Sequence, residues 1–363
     1  MKVNLVGCGG VSKCHFNAIN MLKNKGAELT AVADIVTDKA DAKAQENSCK
    51  AYYDYVTMLN EEKPDVVHIC TPHYLHVDMA VEALERDINV VLEKPCGTSV
   101  EGLKRLIEAE KASKGKLAVC FQNRYNSSVV FAKELIESKK FGEVKSARAI
   151  VTWRRDEDYY SSDAWRGTWE QECGGVLINQ AIHTHDLMQY LCGKTTKTVE
   201  GHISNYHLKD YIEVEDTASV YFTYEDGTRA VYFATNASGD NSDPIVEIFC
   251  EKAVIRVEGS SVFKIADGVV TTPKLASAKD VKTQIVADKF QRIIQEMQEA
   301  DIMFLIQQSN LRNSELKSQQ MKDLHAAIKE ADANEKKRKG LRINLNIDNG
   351  YCGGQFALLF ILC

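Results

Sequence analysis

The sequence has no surplus of positive charge: 45 Lys and Arg stand against 51 Asp and Glu, a formal net charge of −6. Neutralising phosphates needs a basic face, so nucleic-acid binding is set aside as a function class. The short run "KKRK" at 336–339 reads as a solvated helix end rather than a polyanion site. None of the eleven cysteines forms a CxxC pair, and their number is odd. The start "MKVNLVGCGG" leaves too little before its first glycine for the apolar core of a secretion signal. A reducing cytoplasm is therefore expected, with most cysteines serving as small core residues. No apolar run approaches the roughly 20 residues that cross a bilayer, and the final "FALLFILC" falls far short. Repeats and low-complexity linkers are absent, and neither glycine nor proline occurs between Lys274 and Lys339.

What is present is an ordinary globular composition, 44% hydrophobic and 26% charged, in a chain of 363 residues. That length exceeds one core and fits two domains with an appendage. In residues 1–122 the runs "KVNLVG", "ELTAVAD", "VVHICTP", "NVVLEKP" and "LAVCFQ" are nearly continuous aliphatic stretches. Such runs suit strands covered on both faces, and the amphipathic segments between them suit crossover helices. The expectation is an α/β fold beginning with a doubly wound parallel sheet. Residues 123–280 change texture: "SARAIVTWRR", "TASVYFTY" and "TRAVYFATNA" alternate, and "YEDGTR" predicts a hairpin between two of them. This region is expected to be α+β with a large, mostly antiparallel open sheet. One helix is expected over "GGVLINQAIHTHDLMQYLCG", ending at a C-cap glycine. Residues 281–363 carry apolar residues at three- to four-residue steps, as one or two long helices would, and end in an atypical tail.

Residue chemistry gathers first in "VNLVGCGGVSKCH". Gly7, Gly9 and Gly10, with Val11 following, stand between a strand and a helix start, as in a turn that holds a dinucleotide pyrophosphate at a helix N-terminus. Ser12 occupies the third glycine position, so the pattern is imperfect. Asp34 ends "AVAD", where a carboxylate can accept from the adenosine ribose; this favours NAD over NADP, whose extra phosphate would meet a negative charge. Helix capping is the plainer role for Asp34. In "CTPHYLH", Thr71, Pro72 and His73 fall at the carboxyl edge of the sheet, where such folds bind ligands. His76 belongs either to that cofactor set or, more plainly, to the cap of the next helix.

Lys94, in "VVLEKPCGTS", ends a buried strand at the same edge. An amine beside a dinucleotide can polarise a substrate hydroxyl and share its proton during hydride transfer. Glu93, next to it, is placed in the cofactor set, its plainer role being a salt bridge with Lys94. On the "NQAIHTHDL" helix, Asn179, His183 and Asp186 have spacings that put them on one face, His183 as general base, while His185 points elsewhere. Metal binding through His183, His185 and Asp186 is not expected, because residues two apart on a helix diverge.

The motifs "GCGGVSKCH", "CTPHYLH", "EKP", "FQNRYN", "AWRGTW" and "GGVLINQAIHTHDL" together resemble the glucose–fructose oxidoreductase, inositol dehydrogenase and MocA-type family. They run from residue 5 to about 193, and the strand pattern extends the likeness to roughly 270. The resemblance implies NAD(P)-dependent oxidation or reduction of a sugar, polyol or related carbohydrate. It implies that Lys94 and His183 are catalytic and that Asp186 contacts substrate. It also implies that Gln122, Arg124 and Tyr125 line the crevice and that Trp165 and Arg166 close over it. A homo-oligomer formed through the second sheet is implied as well. Asn179 stands where many family dehydrogenases carry aspartate, which removes an Asp–Lys proton relay and loads His183. Beyond about Thr283 the chain departs from the family's closing helices.

Three activities follow. The first is an NAD-dependent dehydrogenase, with substrate between Lys94 and His183. The second is a glycosidase using NAD transiently through oxidation and elimination. The third is a non-enzymatic dinucleotide sensor, against which "EKP" and "NQAIH" argue.

Overall fold

The computed structural model describes residues 1–266 and 269–271. The long helices and the tail expected after residue 280 lie outside the described residues. A division between Gln122 and Asn123 separates two compact units, each with its own apolar core.

The first unit is a six-stranded parallel sheet. Its strands are β1 (Lys2–Val6), β2 (Glu28–Ala33), β3 (Lys50–Tyr52), β4 (Val66–Ile69), β5 (Asn89–Leu92) and β6 (Leu117–Val119). The order is β3-β2-β1-β4-β5-β6, the arrangement of a dinucleotide-binding fold. All four residues of β4 and of β5 are buried, which is why these strands read as mostly aliphatic runs rather than alternating ones. The helices are α1 (Ser12–Met21), α2 (Thr37–Asn47), α3 (Tyr55–Glu62), α4 (His76–Leu84) and α5 (Val100–Ala112). Ser99 caps α5 by accepting a hydrogen bond from the Gly102 N–H at 3.0 Å. The sixth strand, β3, was not among the five expected runs; it is only three residues long and its Lys50 is exposed.

The second unit opens with α6 (Ser127–Glu137), then β7 (Val144–Thr152), the short α7 (Glu157–Ser161) and α8 (Ile182–Cys192). Seven further strands follow: β8 (Thr196–Ser204), β9 (Thr217–Tyr224), β10 (Arg229–Thr235), β11 (Ile245–Cys250), β12 (Val254–Glu258), β13 (Ser261–Ala266) and β14 (Val269–Thr271). They form one sheet in the order β14-β13-β12-β11-β7-β10-β9-β8, antiparallel except where β7 meets β10. α8 packs on β7 and β11, and α6 on β12 and β13. Along β9, Ala218, Val220, Phe222 and Tyr224 face this core and alternate with more exposed residues, as expected of a sheet covered on one side. The β9–β10 hairpin turns at Gly227, whose φ of +84° is the left-handed conformation that suits glycine.

Helix does not extend over "GGVLINQAIHTHDLMQYLCG": only Ile182–Cys192 is helical, closed by Gly193 at φ +67° as the C-cap glycine foretold. The stretch before it is irregular because Gly175 passes against the backbone of the loop that leads into β9; a Cβ there would lie 1.9 Å from the Glu215 carbonyl oxygen.

Candidate active site

All six strands of the first unit run parallel, so the segments leaving β1, β2, β4, β5 and β6 emerge at one edge of the sheet. Gly7 follows β1 with φ +89°, and a Cβ on it would sit 2.6 Å from the Cys70 carbonyl group. Only glycine fits. Around Gly9 and Gly10 a Cβ would meet nothing within 4 Å, so their backbone is open to a bound group. Ser12, fully buried at the third glycine position, turns its hydroxyl back to the Gly9 carbonyl at 2.6 Å. The imperfect match is thus closed by a hydrogen bond instead of by a close helix–strand approach. Val11 is exposed at the turn.

Asp34 does not cap α2, whose N-cap is Val36 with no side-chain bond. Its carboxylate accepts the N–H groups of Cys8 and Val36, each at 2.8 Å. That ties the glycine turn to the end of β2 and leaves further lone pairs on both oxygens. Beside it, burial and then the Asp34 charge push the Cys8 thiol up to about 12, so it stays neutral.

After β4, Thr71 and Pro72 are half-buried and His73 is buried. His76, with no exposed surface, places Nδ1 2.6 Å from the Pro95 carbonyl and Nε2 2.8 Å from the Thr71 carbonyl. Its ring bridges two loops, neither capping α4 nor presenting a nitrogen to a ligand. Lys94 lies two residues past β5 and is half-buried. The carboxylate of Glu93 engages His15 at 3.0 Å and accepts the Lys94 N–H at 3.2 Å. Gln122 is buried just past β6. Gly7, Asp34, Thr71, Lys94 and Gln122 thus leave the same sheet edge. His15, Glu93 and Cys120 bring one donor atom each within 4.8 Å of one another. Hydrogen bonds engage both His15 nitrogens and account for that cluster as it stands.

In the second unit, His183 sits half-buried in the first turn of α8. His185 faces the core, stacked on Phe222 at 5.2 Å. Asp186 accepts Arg124 Nε at 2.8 Å and Nη2 at 2.5 Å, and the Arg124 guanidinium also lies over Tyr190. Two residues assigned to substrate therefore bind each other in a bidentate pair. Asn179 lies before α8 rather than on its face with His183 and Asp186. Its amide donates to Glu172 and, at 3.2 Å, to the Tyr159 hydroxyl. Arg166 donates to the same Tyr159 hydroxyl and to Asp163, stacked on Tyr159 and Trp165. Tyr125 is exposed. Asn179, Tyr159, Arg166 and Glu172 form one polar group that includes two residues sequence reasoning missed. Glu172 is fully buried and accepts the Gly167 N–H at 2.6 Å. In "WEQECGG" nothing in the pattern separates Glu172 from a surface charge such as the neighbouring Glu170.

Glu215 was also missed. It accepts the N–H groups of Gly175 at 2.8 Å and Leu177 at 3.0 Å, fixing the irregular stretch before α8. Burial, opposed by these two donors, pushes its carboxyl from the ordinary 4.5 up to about 7. The folded pKa is raised, so this contribution to stability is complete below the unfolded value and is lost as pH rises through 7. The loss is at most about 1.4 kcal/mol per pH unit across that window. Denaturant midpoints are expected to fall between roughly pH 4.5 and 7, the unfolded and folded values, to level off above that, and to fall less in Glu215→Gln; parallel curves for the two proteins would refute the assignment.

Residues 1–121 match the model of an oxidoreductase family with an NAD-binding Rossmann fold. Residues 129–256 match the GFO/IDH/MocA C-terminal domain. The chain is 27% identical over 256 residues to an inositol 2-dehydrogenase of Rubrobacter xylanophilus, covering 70% of each protein. It is likewise 27% identical over 251 residues to a scyllo-inositol 2-dehydrogenase (NAD(+)) of Bacillus subtilis, covering 68% of this chain and 69% of that one. The WlbA dehydrogenase of Bordetella pertussis, crystallised with NADH and UDP-GlcNAcA, superposes with a TM-score of 0.73 at 26% identity. That superposition covers 96% of this chain and 99% of the other. With one model spanning the sheet edge that carries Lys94 and the other spanning the sheet on which α8 packs, the chain belongs to the GFO/IDH/MocA family of NAD-binding oxidoreductases.

Proposed function

We propose that this enzyme oxidises a secondary hydroxyl of a sugar, cyclic polyol or related carbohydrate with NAD, or reduces the corresponding carbonyl. The observation that carries the reading is Lys94 leaving the same sheet edge as the glycine turn, one strand beyond the Thr71 loop. The relatives named inositol dehydrogenases, and the neighbour holding NADH with an acidic nucleotide sugar, support a polyhydroxylated substrate. In this reading the pyrophosphate lies on the open backbone at Gly9 and Gly10, and Asp34 takes the adenosine ribose. NAD supplies the hydride acceptor. Lys94 donates a hydrogen bond to the substrate oxygen and stabilises the charge that develops there, while His183 takes the hydroxyl proton. Asn179, Arg166 and Trp165 orient the substrate. The Arg124–Asp186 pair braces α8.

The test is turnover of inositols, aldoses, uronates and nucleotide sugars, followed by the absorbance of reduced nicotinamide. NAD is expected to serve at least about tenfold better than NADP, since a ribose phosphate would meet the Asp34 carboxylate. Equal use of both would remove Asp34 from this role.

Self-association through the second sheet is part of the proposal. Tyr221 and Val231 are cross-strand partners on β9 and β10, and both are exposed on the face away from α8. Light scattering should give a mass above that of one chain, reduced in a Tyr221→Glu, Val231→Glu variant. A single-chain mass for the parent protein would rule the interface out. Among the described residues no helix is long and apolar enough to cross a membrane. The nine described cysteines are all free thiols, which supports a cytoplasmic setting.

A further inference from the structure

The residues on either side of Lys94 are each held by a buried imidazole. On one side is Glu93, whose carboxylate meets His15 Nε2 at 3.0 Å. On the other is Pro95, whose carbonyl meets His76 Nδ1 at 2.6 Å. His15 and His76 are both fully buried, and Glu93 nearly so. Neither histidine has been given a part in the chemistry above. From this arrangement we infer that His15 and His76 are positioning residues that together clamp Lys94. The inference rests on Lys94 being the amine that meets substrate.

The hydrogen positions follow from what each partner can do. An ionised carboxylate has no proton to give, so the hydrogen between His15 and Glu93 belongs to His15 Nε2. His15 Nδ1 faces His68 Nδ1 at 2.9 Å, one hydrogen serving both rings. Burial holds His68 well below the ordinary imidazole range, so it is neutral and keeps a lone pair and a hydrogen to share. The other Glu93 oxygen takes the Lys94 N–H at 3.2 Å, which directs the backbone from which the amine extends. His15 lies on α1, three residues after Ser12, whose hydroxyl closes the glycine turn. The clamp therefore links the helix of the dinucleotide turn to Lys94 through β4 and β5. His76 does the same from the Thr71 loop.

The ionisable groups on or beside these elements are Glu93, His15, His68, His73, His76 and the thiols of Cys14, Cys70, Cys96 and Cys120. A Glu93 released from His15 would be free to turn its full charge on the neighbouring ammonium, keep it protonated and shift its position.

Two substitutions separate the contacts of His15. In His15→Gln the amide reaches the Nε2 position and still donates to Glu93. In His15→Asn the amide reaches only the Nδ1 position, so the His68 contact survives and the Glu93 contact is lost. Reductive methylation of Lys94 would be followed by peptide mass spectrometry at one mildly alkaline pH, together with NADH binding by nicotinamide fluorescence and thermal melting. Lys94 labelling is expected to slow about threefold or more in His15→Asn, with NADH binding and melting temperature near those of the parent protein, and to stay close to the parent rate in His15→Gln. His76→Leu should also alter the rate. Unchanged labelling in a folded His15→Asn, or equal slowing in both His15 variants, would overturn the clamp. Labelling needs no cofactor. If the parent protein fails to bind NADH, the reading of the site fails while the labelling rates still decide the clamp.

Discussion

Lys94→Ala is expected to lower kcat about 100-fold or more, with NADH affinity changed little. The asymmetry comes from where the side chain stands. In the proposed reading the dinucleotide is held by the glycine turn, Asp34 and the Thr71 loop, through backbone groups and a carboxylate, while the Lys94 amine is assigned to the substrate. In the proposed reaction, removing that amine takes away a donor whose bond to the substrate oxygen would strengthen as hydride departs, an interaction that acts on the transition state more than on the ground state. Lys94→Arg should recover little, because a planar guanidinium on a longer stem cannot place one donor where the ammonium stood. Steady-state kinetics beside NADH fluorescence titration checks both parts. An Ala variant within about tenfold of the parent kcat would remove Lys94 from the chemistry.

Gly7→Ala carries the second large effect, this time on folding and binding together. At φ +89° an alanine is strained, and its Cβ would overlap the carbonyl carbon and oxygen of Cys70 at 2.6 Å and the Thr71 nitrogen at 2.9 Å. All three are backbone atoms at the end of a fully buried strand and cannot step aside. A destabilisation of roughly 2–4 kcal/mol is expected, with NAD affinity lost in whatever fraction folds. Gly9→Ala is the informative contrast. Its Cβ meets no atom of the chain within 4 Å, so melting should be unaffected. The same methyl would stand where the pyrophosphate approaches, so NAD affinity should fall at least about tenfold. Equal melting losses for both variants would mean that Gly9 is a folding residue and not part of the cradle.

The parallel sheet, the glycine turn, the β9–β10 hairpin and the Gly193 cap were legible because each is written locally. They appear as aliphatic runs, a strand–glycine–helix order, or a turn residue at a helix end. β3 escaped because three residues give no period to read. The common face assigned to Asn179, His183 and Asp186 assumed a helix running on from Gly174, but helix begins only at Ile182, and the stretch before it is held by Glu215, 40 residues beyond Gly175. Partnerships across longer separations leave no trace in spacing. Arg124 and Asp186 are 62 residues apart, and His15 and Glu93 are 78 apart. Glu172 and Glu215 look like surface charges in the sequence and are fully or almost fully buried, because backbone N–H groups beside glycines need acceptors. A histidine without a motif, such as His68, offers even less to read.

The proposed reaction moves hydride directly from a carbohydrate carbon to NAD. Its sharpest test uses a substrate from the turnover panel carrying deuterium on the carbon that is oxidised, with mass analysis of the reduced nicotinamide released. Deuterium retained in a nicotinamide that accumulates one-for-one with the carbonyl product is the predicted result. Glycoside cleavage with no net reduced nicotinamide, or a reduced nicotinamide free of the label, would contradict it.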